Sequence, residues 1–292
     1  MGVFISFRWA RFLRGSRLWR AARSAVRLMR TFHPRAVRQR RRTRRFYAAF
    51  VRRGDLCFDV GANKGDKSAV FLGLGARVVA VEPQAACVTR LRERFGHRRD
   101  VTLVAKALGA APGEAEMNLS EADTISSLSP AWIESVKASG RFGGRRWDRK
   151  VIVPVTTLDQ LIHEHGLPRF CKIDVEGFEL EVLRGLTQPL PALSFEFTPE
   201  FIEAALDCVR YLDGLGAARF NYSIGESMHL ALPAWVAAAA MTSILTTLPD
   251  KSIFGDVYAR TRETMDLPVS ASAAGAPLSA ADRSSTVQRV SP

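Results

Sequence analysis

The chain has 292 residues, of which 47% are hydrophobic and 24% are charged, a composition typical of a folded globular protein. Its net charge of +13 is concentrated at one end: residues 1–53 contain seventeen arginines and no acidic residue, so the remaining residues sum to −4. The four cysteines are widely spaced without a CxxC pair, which argues against a disulfide framework or a cysteine metal site and suits a reducing, cytoplasmic compartment.

Residues 1–53 are predicted to form a basic arm. Arginine recurs nearly every third position from Arg8 to Arg23, a spacing that moves around a 3.6-residue helix and does not stay on one face. The apolar pairs between the arginines can enter a membrane interface while the guanidinium groups contact phosphates. Two interpretations stay open, a solvated arm and a peripheral contact with the anionic inner membrane surface, whereas nucleic-acid binding is not expected.

Residues 54–262 are predicted to form one α/β domain. Short apolar stretches alternate with helix-like segments, a rhythm typical of a parallel sheet covered on both faces. Right-handed crossovers make such a sheet doubly wound, with ligands bound outside the carboxyl ends of its strands. The predicted strands lie at 56–60, 77–81, 101–105, 170–174, 192–197, 219–223 and 253–258, and the predicted helices at 67–74, 84–95, 178–186 and 199–215.

Three segments depart from this rhythm. Residues 110–150 are polar and rich in Gly and Ser, and they are predicted to border or cover the substrate site. Residues 230–249 carry no charge, but Pro233 and several Ser, Thr and Met residues favour a buried helix over a membrane span. Residues 263–292 are rich in Ala and Ser and predict a disordered tail.

The first predicted strand ends in Asp59 and is followed by Gly61, Asn63 and Gly65. Glycine removes the side chain where the backbone turns sharply and a ligand approaches, and asparagine tolerates the left-handed conformation. The spacing G-x-x-x-G matches neither the dinucleotide fingerprint G-x-G-x-x-G nor a phosphate-binding P-loop. The loop therefore favours a cationic or zwitterionic ligand over a pyrophosphate.

An acidic residue, Glu82, ends the second predicted strand 23 residues after Asp59. This offset is close to the roughly 20 residues at which a carboxylate meets the ribose hydroxyls of a bound nucleoside. A carboxylate can accept two hydroxyl hydrogen bonds at once. Together the loop and Glu82 predict an adenosine-containing ligand without a pyrophosphate, for which S-adenosylmethionine is the common example.

The stretch FCKIDVEGFELE at 170–181 places Asp174 at the end of a strand and Glu176 in the turn that follows. In an open α/β sheet this point lies beside the first strand and faces the ligand across the switch point. The two acids could instead be a helix N-cap and a first-turn acid. Their position favours the functional interpretation.

Several stretches together resemble the FkbM family of S-adenosylmethionine-dependent methyltransferases. They run in family order through most of residues 54–262, and the small Ser-rich segment at 125–128 also resembles the family. The combination is specific, although each stretch alone is not. The matching stretches are FDVGANKG (58–65), VVAVEP (78–83), VPVTTLDQLI (153–162), KIDVEGFELEVLRG (172–185), LSFEF (193–197) and FGDVYA (254–259).

The resemblance implies a Rossmann-like class I methyltransferase fold, a seven-stranded and mostly parallel sheet with helices on both faces and the last strand antiparallel. It implies S-adenosylmethionine as the methyl donor and O-methylation of a free hydroxyl on a sugar, glycolipid, polysaccharide or secondary metabolite. Matched motif by motif, the cofactor-binding residues are Asp59, Gly61, Asn63, Gly65 and Glu82, with Lys106 and Ala107 beside the adenine, and the residues at the reaction face are Asp174 and Glu176.

Methyl transfer to an aliphatic hydroxyl benefits from a general base. Asp174 and Glu176 are the preferred candidates, Glu196 at the end of the fifth strand is the second choice, and His229 is the third. His163 and His165 follow a helix-like run and are expected at the surface. No cluster of ligand residues demands a metal, and none is assigned.

Two other function classes stay open. One is a nicotinamide-dependent oxidoreductase on the same kind of sheet, which the missing G-x-G-x-x-G fingerprint disfavours. The other is a non-catalytic binding protein whose basic arm docks on a membrane.

Overall fold

The computed structural model describes residues 34–216, 219–248 and 252–261. The predicted tail at 263–292 and residues 1–33 of the predicted arm lie outside these ranges. The chain divides into two compact units, residues 1–45 and residues 46–292. The described part of the first unit is most of a helix, α1 (Pro34–Tyr47), whose last two residues belong to the second.

The second unit alternates strands and helices as the sequence predicts, with boundaries that differ by at most three residues. Two short 3₁₀ turns lie at Asp123–Ile125 and Pro199–Phe201. The elements in chain order are β1 (Leu56–Val60), α2 (Asp66–Leu74), β2 (Arg77–Val81), α3 (Ala85–Phe95), β3 (Val101–Val104), β4 (Ala107–Leu108), β5 (Gly113–Leu119), α4 (Pro130–Ser139), β6 (Arg149–Thr156), α5 (Leu158–His165), β7 (Phe170–Ile173), α6 (Glu179–Arg184), β8 (Ala192–Phe197), α7 (Ile202–Gly216), β9 (Arg219–Ile224), α8 (Ala238–Thr246) and β10 (Gly255–Arg260).

The main sheet has seven strands in the order β3-β2-β1-β7-β8-β10-β9. The pairs β1–β2, β2–β3, β1–β7 and β7–β8 are parallel, whereas β10 is antiparallel to both β8 and β9. The predicted mostly parallel sheet with an antiparallel last strand is thus confirmed. The chain moves outward from β1 to β3 and returns at β7, so the switch point lies between β1 and β7.

Side chains alternate along each strand, so the sheet separates two hydrophobic clusters. Phe58 and Ile173 belong to one cluster, Cys57 and Phe170 belong to the other, and all four are fully buried. Helices α5 to α8 contribute to the first cluster, and α2 and α3 contribute to the second. Both faces of the sheet are therefore covered, as predicted.

The second hydrophobic cluster includes residues that precede residue 54, the predicted start of the domain. Tyr47 is fully buried and meets Phe71 edge-on, with 5.1 Å between the ring centroids. Phe50 stacks on Tyr258 of β10 at 5.5 Å. An aromatic pair of this kind contributes about 0.5–1.5 kcal/mol beyond the area it buries. The core thus extends back to Phe46, although the sequence assigned all of residues 1–53 to the arm.

The 110–150 segment contains two elements that its polar composition concealed. β4, β6 and β5 form a separate three-stranded sheet, in which β5 and β6 pair antiparallel over seven residues. Most side chains of β5 are exposed or half-buried, and its sequence GEAEMNL shows no apolar run. The helix α4 begins at Ser129, whose side chain accepts the N–H of Trp132, and Pro130 occupies its first turn.

The uncharged segment at 230–249 contains a nine-residue helix, α8, in place of a membrane span. Ala238, Met241 and Leu245 form its buried face and belong to the first hydrophobic cluster. Among the helices in the described ranges, none combines the length and the apolar character that crossing a bilayer requires.

Candidate active site

A cavity of about 130 Å³ lies at the carboxyl ends of β1, β2 and β7. This is where the strand order reverses, the point at which open α/β sheets bind ligands. Met117 and Leu128, both from the 110–150 segment, form part of its wall, so that segment borders the site. Of the nine residues assigned to the site from the sequence, seven line this cavity: Gly61, Asn63, Glu82, Lys106, Ala107, Asp174 and Glu176.

The other two assigned residues, Asp59 and Gly65, lie behind the cavity lining. The Asp59 carboxylate is buried and accepts a hydrogen bond from the hydroxyl of Ser68. Burial raises the pKa of Asp59, and the charge of Lys172 opposes this rise. Gly65 has φ 79°, and a Cβ there would come within 2.4 Å of the Phe95 ring. Both residues therefore support the loop from the interior. The sequence had predicted instead that they contact the cofactor.

Gly61 brings the two loops at the switch point together. Its φ is 77°, and a Cβ at this position would lie 1.8 Å from the carbonyl oxygen of Asp174. Any larger residue would therefore push the loop after β1 away from the loop after β7. The glycine sets the distance between the predicted cofactor loop and the predicted reaction face.

Glu82 is almost fully buried and is held by two backbone groups. Its Oε2 accepts the N–H of Asn63 and its Oε1 accepts the N–H of Gln84, both at 2.8 Å. Asn63 has φ 47°, the left-handed conformation that its sequence position predicts. Burial raises the pKa of Glu82 to about 6, against the lowering effect of the two N–H donors. A carboxylate has about four acceptor positions, so the two backbone N–H groups do not use all of them.

A turn that the sequence did not assign closes the outer side of this pocket. The carbonyl oxygen of Asp123 accepts hydrogen bonds from the side chains of Asn63 and Gln84, at 3.2 and 2.9 Å. The Asp123 carboxylate forms ion pairs with Lys64 and Arg90. The only sequence signal nearby was the Ser-rich stretch at 125–128. Asp123 itself lies in a polar stretch without periodicity, so nothing in the pattern marked it.

Three carboxyl groups converge at the predicted reaction face. Asp174 follows β7, Glu176 lies two residues further on, and Glu196 is on the adjacent strand β8. One carboxylate oxygen from each lies within 4.8 Å of the others. The sequence ranked Glu196 as an alternative to the other two, whereas the parallel pairing of β7 and β8 places all three in one cluster.

This cluster is poor in compensating charge. Lys172 donates a hydrogen bond to Oδ2 of Asp174. Burial and then the negative charge of Asp174 raise the pKa values of Glu176 and Glu196 well above their usual range. Both glutamates therefore favour the protonated form. Carboxyl groups at this spacing can share protons in this way, and we assign no metal to them.

The backbone at Glu176 is strained. Its φ is 56°, in the left-handed region that costs a residue with a Cβ about 1 kcal/mol or more. Ser127 donates a hydrogen bond of 2.6 Å to the Glu176 carbonyl oxygen, and Trp132 packs against Gly177 so closely that a Cβ there would lie 2.3 Å away. The 110–150 segment thus holds the strained turn in place. Strain of this kind concentrates at functional sites.

The strain at this turn can be measured by comparing Glu176→Gly with Glu176→Ala. Both variants lose the carboxyl group, but only glycine adopts a positive φ without penalty. We expect Glu176→Gly to be more stable than Glu176→Ala by about 1 kcal/mol in urea unfolding. Equal stabilities would show that residue 176 is not held in the left-handed conformation. Both variants should lose most of their turnover.

The three histidines considered in the sequence, His163, His165 and His229, do not line the cavity. His163 is exposed, and His165 lies 3.6 Å from Glu164. His229 is half-buried, with Nδ1 3.3 Å from the carbonyl oxygen of Ser227, and it does not line the cavity. Asp174 and Glu176, which line the cavity, are therefore better placed than any of these histidines to contact an acceptor.

Fold and site together define the class of the protein. A seven-stranded sheet of this order, with an antiparallel final strand and a cavity at its switch point bordered by an acid at the end of β2, is the Rossmann-like architecture of class I methyltransferases.

The chain belongs to the FkbM methyltransferase family. The model of the methyltransferase FkbM domain matches residues 59–222, more than half of the chain. The resemblance found in the sequence is confirmed, and the protein is an S-adenosylmethionine-dependent methyltransferase. The nicotinamide-dependent alternative is not retained.

Three solved structures that are similar to the chain share little sequence identity with it. Precorrin-6y C5,15-methyltransferase from Geobacter metallireducens is 10% identical with a TM-score of 0.42, over 75% of this chain and 87% of that one. A TehB-like methyltransferase from Corynebacterium glutamicum is 10% identical with a TM-score of 0.39, over 75% and 88%. A Streptococcus mutans protein in complex with S-adenosylhomocysteine is 11% identical with a TM-score of 0.36, over 75% and 95%. No curated protein matches the chain in sequence.

Proposed function

We propose that the protein is an O-methyltransferase that acts on a free hydroxyl of a sugar, glycolipid, polysaccharide or secondary metabolite. One observation carries the proposal: the carboxyl groups of Asp174 and Glu176 open on the same cavity as Glu82. A hydroxyl is protonated at neutral pH, so it gains more from a nearby proton acceptor than a neutral amine does.

The cavity suits the adenosyl part of S-adenosylmethionine. Glu82 is a buried carboxylate with acceptor positions to spare, which is the chemistry that a pair of ribose hydroxyls needs. Leu108, Met117 and Leu128 supply apolar surface for a planar base. Lys106 and Ala107 lie next to Leu108 in the cavity wall, where β4 begins. The fit rests on these residue types and their placement.

When bound, S-adenosylmethionine supplies an electrophilic methyl group, whose bond to sulfur breaks as the bond to the acceptor oxygen forms. The other contributions to catalysis come from side chains of the protein. Asp174 accepts the hydroxyl proton at a carboxylate oxygen, a role that contributes about 100- to 10,000-fold to a rate. Glu176 donates a hydrogen bond that orients the acceptor oxygen, and correct orientation supplies a large share of the rate in such reactions.

The test is incubation of the full chain with isotopically labelled S-adenosylmethionine and separate pools of glycolipid, polysaccharide and small metabolites. We expect one pool to gain about 14 Da, the mass of one CH₂ unit, and NMR of the product to show an O–CH₃ group. Enzyme with Asp174→Asn is the negative control. Transfer of the label to nitrogen or carbon would contradict O-methylation while leaving the methyltransferase class intact.

We also propose a peripheral contact between the basic arm and an anionic membrane surface. The part of the arm that supports this is α1, where Arg38, Arg40, Arg41 and Arg44 are all exposed. Each arginine near an anionic surface contributes about 1 kcal/mol, and this contribution is screened by salt.

The membrane contact can be tested by co-sedimentation of the full chain with vesicles. We expect binding to vesicles that contain phosphatidylserine, little binding to neutral vesicles, and loss of binding at about 0.5 M salt. Changing the four arginines of α1 to Gln should weaken the binding at least about tenfold. The matched control changes four exposed arginines elsewhere to Gln: Arg92, Arg99, Arg146 and Arg149. An equal loss in the two variants would show only a general charge effect.

A further inference from the structure

A buried lysine lies next to the carboxyl cluster. Lys172 is on β7, and only 3% of its side chain is exposed. Strand register places it beside Asp59 of β1 and Ser194 of β8. Because side chains alternate along β7, Lys172 shares the face of Phe170, the face covered by the aromatic cluster. An ammonium group in such surroundings needs compensation.

Acidic groups on three sides balance the positive charge of Lys172. Burial alone would lower the pKa of Lys172, but the charges around it raise that pKa well above its usual range, with Asp174 contributing most. The lysine therefore stays charged. Among the described residues, the groups that act on it are Asp59 from β1, Asp174 after β7, Asp256 from β10 and Tyr47 from α1.

Lys172 contacts one of these groups directly at the reaction face. Its Nζ donates to Oδ2 of Asp174, and within the described ranges no hydrogen bond to Oδ1 is formed. Asp174 in turn faces Glu176 and Glu196, with Glu179 and Arg141 acting on the same cluster. A group of acids this close keeps one or more protons. The Lys172 ammonium contacts Asp174 in this group, so its charge acts most directly on that acid.

We propose that Lys172 is a positioning residue, which fixes the orientation of the Asp174 carboxylate and keeps it ionised so that Oδ1 can accept the proton of the acceptor hydroxyl. The proposal rests on the proposed O-methyltransferase function. It gives the buried lysine a role in the reaction that acts through Asp174, without contact between the lysine and the acceptor.

The first measurement does not require the acceptor. Full-length protein with ¹³C-labelled aspartate carboxyl groups is titrated by NMR, and the Asp174 signal is identified from its loss in Asp174→Asn. In Lys172→Met, whose side chain has similar length and no charge, the Asp174 signal should titrate at least about one pH unit higher than in the natural protein. An unchanged titration would overturn the proposal, even if the enzyme methylates hydroxyl groups.

The second measurement uses turnover with the methylated pool. In Lys172→Met, kcat near neutral pH should fall by about 100-fold or more, and the acid limb of the pH profile should move to higher pH. The KM for S-adenosylmethionine should stay within about threefold, because the lysine does not line the cavity. Lys172→Arg should restore part of the rate, since it returns the charge.

A structural role in balancing Asp59 is distinguished by a double variant. Lys172→Met combined with Asp59→Asn removes the lysine and the acid beside it, which relieves the buried charge of Asp59. If Lys172 only balances Asp59, the double variant recovers both stability and kcat. If Lys172 positions Asp174, the double variant recovers stability in thermal unfolding while kcat and the pH profile stay altered. Label transfer to nitrogen or carbon would instead overturn the O-methylation proposal and leave the NMR result standing.

Discussion

Asp174→Asn is expected to reduce turnover by about 100- to 10,000-fold and to leave cofactor affinity within a few-fold of the natural protein. Asparagine has nearly the same shape but cannot accept a proton from a hydroxyl group. The Asp174 backbone carbonyl, which Gly61 contacts, is unchanged by the substitution. The cavity should therefore still bind S-adenosylhomocysteine, which isothermal titration calorimetry measures directly.

The control for this variant is Asp100→Asn. Asp100 is paired with Arg98 at the surface and does not line the cavity, so its loss should alter neither turnover nor binding. An equal loss of turnover and affinity in Asp174→Asn would move Asp174 from the reaction to cofactor binding.

Glu82→Ala should weaken the binding of S-adenosylhomocysteine at least tenfold, or about 1.4 kcal/mol. The substitution removes the carboxylate expected to meet the ribose, and it also removes the acceptor for two backbone N–H groups, those of Asn63 and Gln84. Some loss of stability should accompany it, so binding is measured by calorimetry on protein shown to be folded by circular dichroism.

The pH dependence of binding gives a sharper test of the same residue. The pKa of Glu82 is raised to about 6 by burial, so the carboxyl group gains a proton as the pH falls through about 6. A protonated carboxyl group is the weaker acceptor, and affinity should therefore decline below about pH 6. Glu82→Gln should bind weakly with no such dependence. Asp159→Ala is the control, because the Asp159 carboxylate accepts the N–H of Thr187 and neither residue lines the cavity.

The sheet and most of the site could be predicted from the sequence because they depend on local patterns. Strands buried on both faces are continuous apolar runs, and the acids at their carboxyl ends stand out against those runs. Glu82, Asp174 and Glu176 were identified in this way, and all three line one cavity.

What the sequence did not show depends on register and tertiary contact. Glu196 joins Asp174 only because β7 and β8 pair in parallel, and no local pattern carries that register. Lys172 lies within an apolar run, and its charge gains significance only from the acids that β1 and β10 bring to it. Asp123 comes from an irregular polar stretch, whose position over the pocket is set by hydrogen bonds to Asn63 and Gln84.

The aromatic residues just after α1's arginines decide where the protein can be shortened. A version starting at residue 54 would discard Tyr47 and Phe50 along with the basic charge, so Phe71 would lose its contact with Tyr47 and Tyr258 its contact with Phe50. If this version did not bind vesicles, the result would not test the membrane contact, because loss of folding and loss of the arginines would have the same effect. A cut placed ahead of Phe46 separates the two causes.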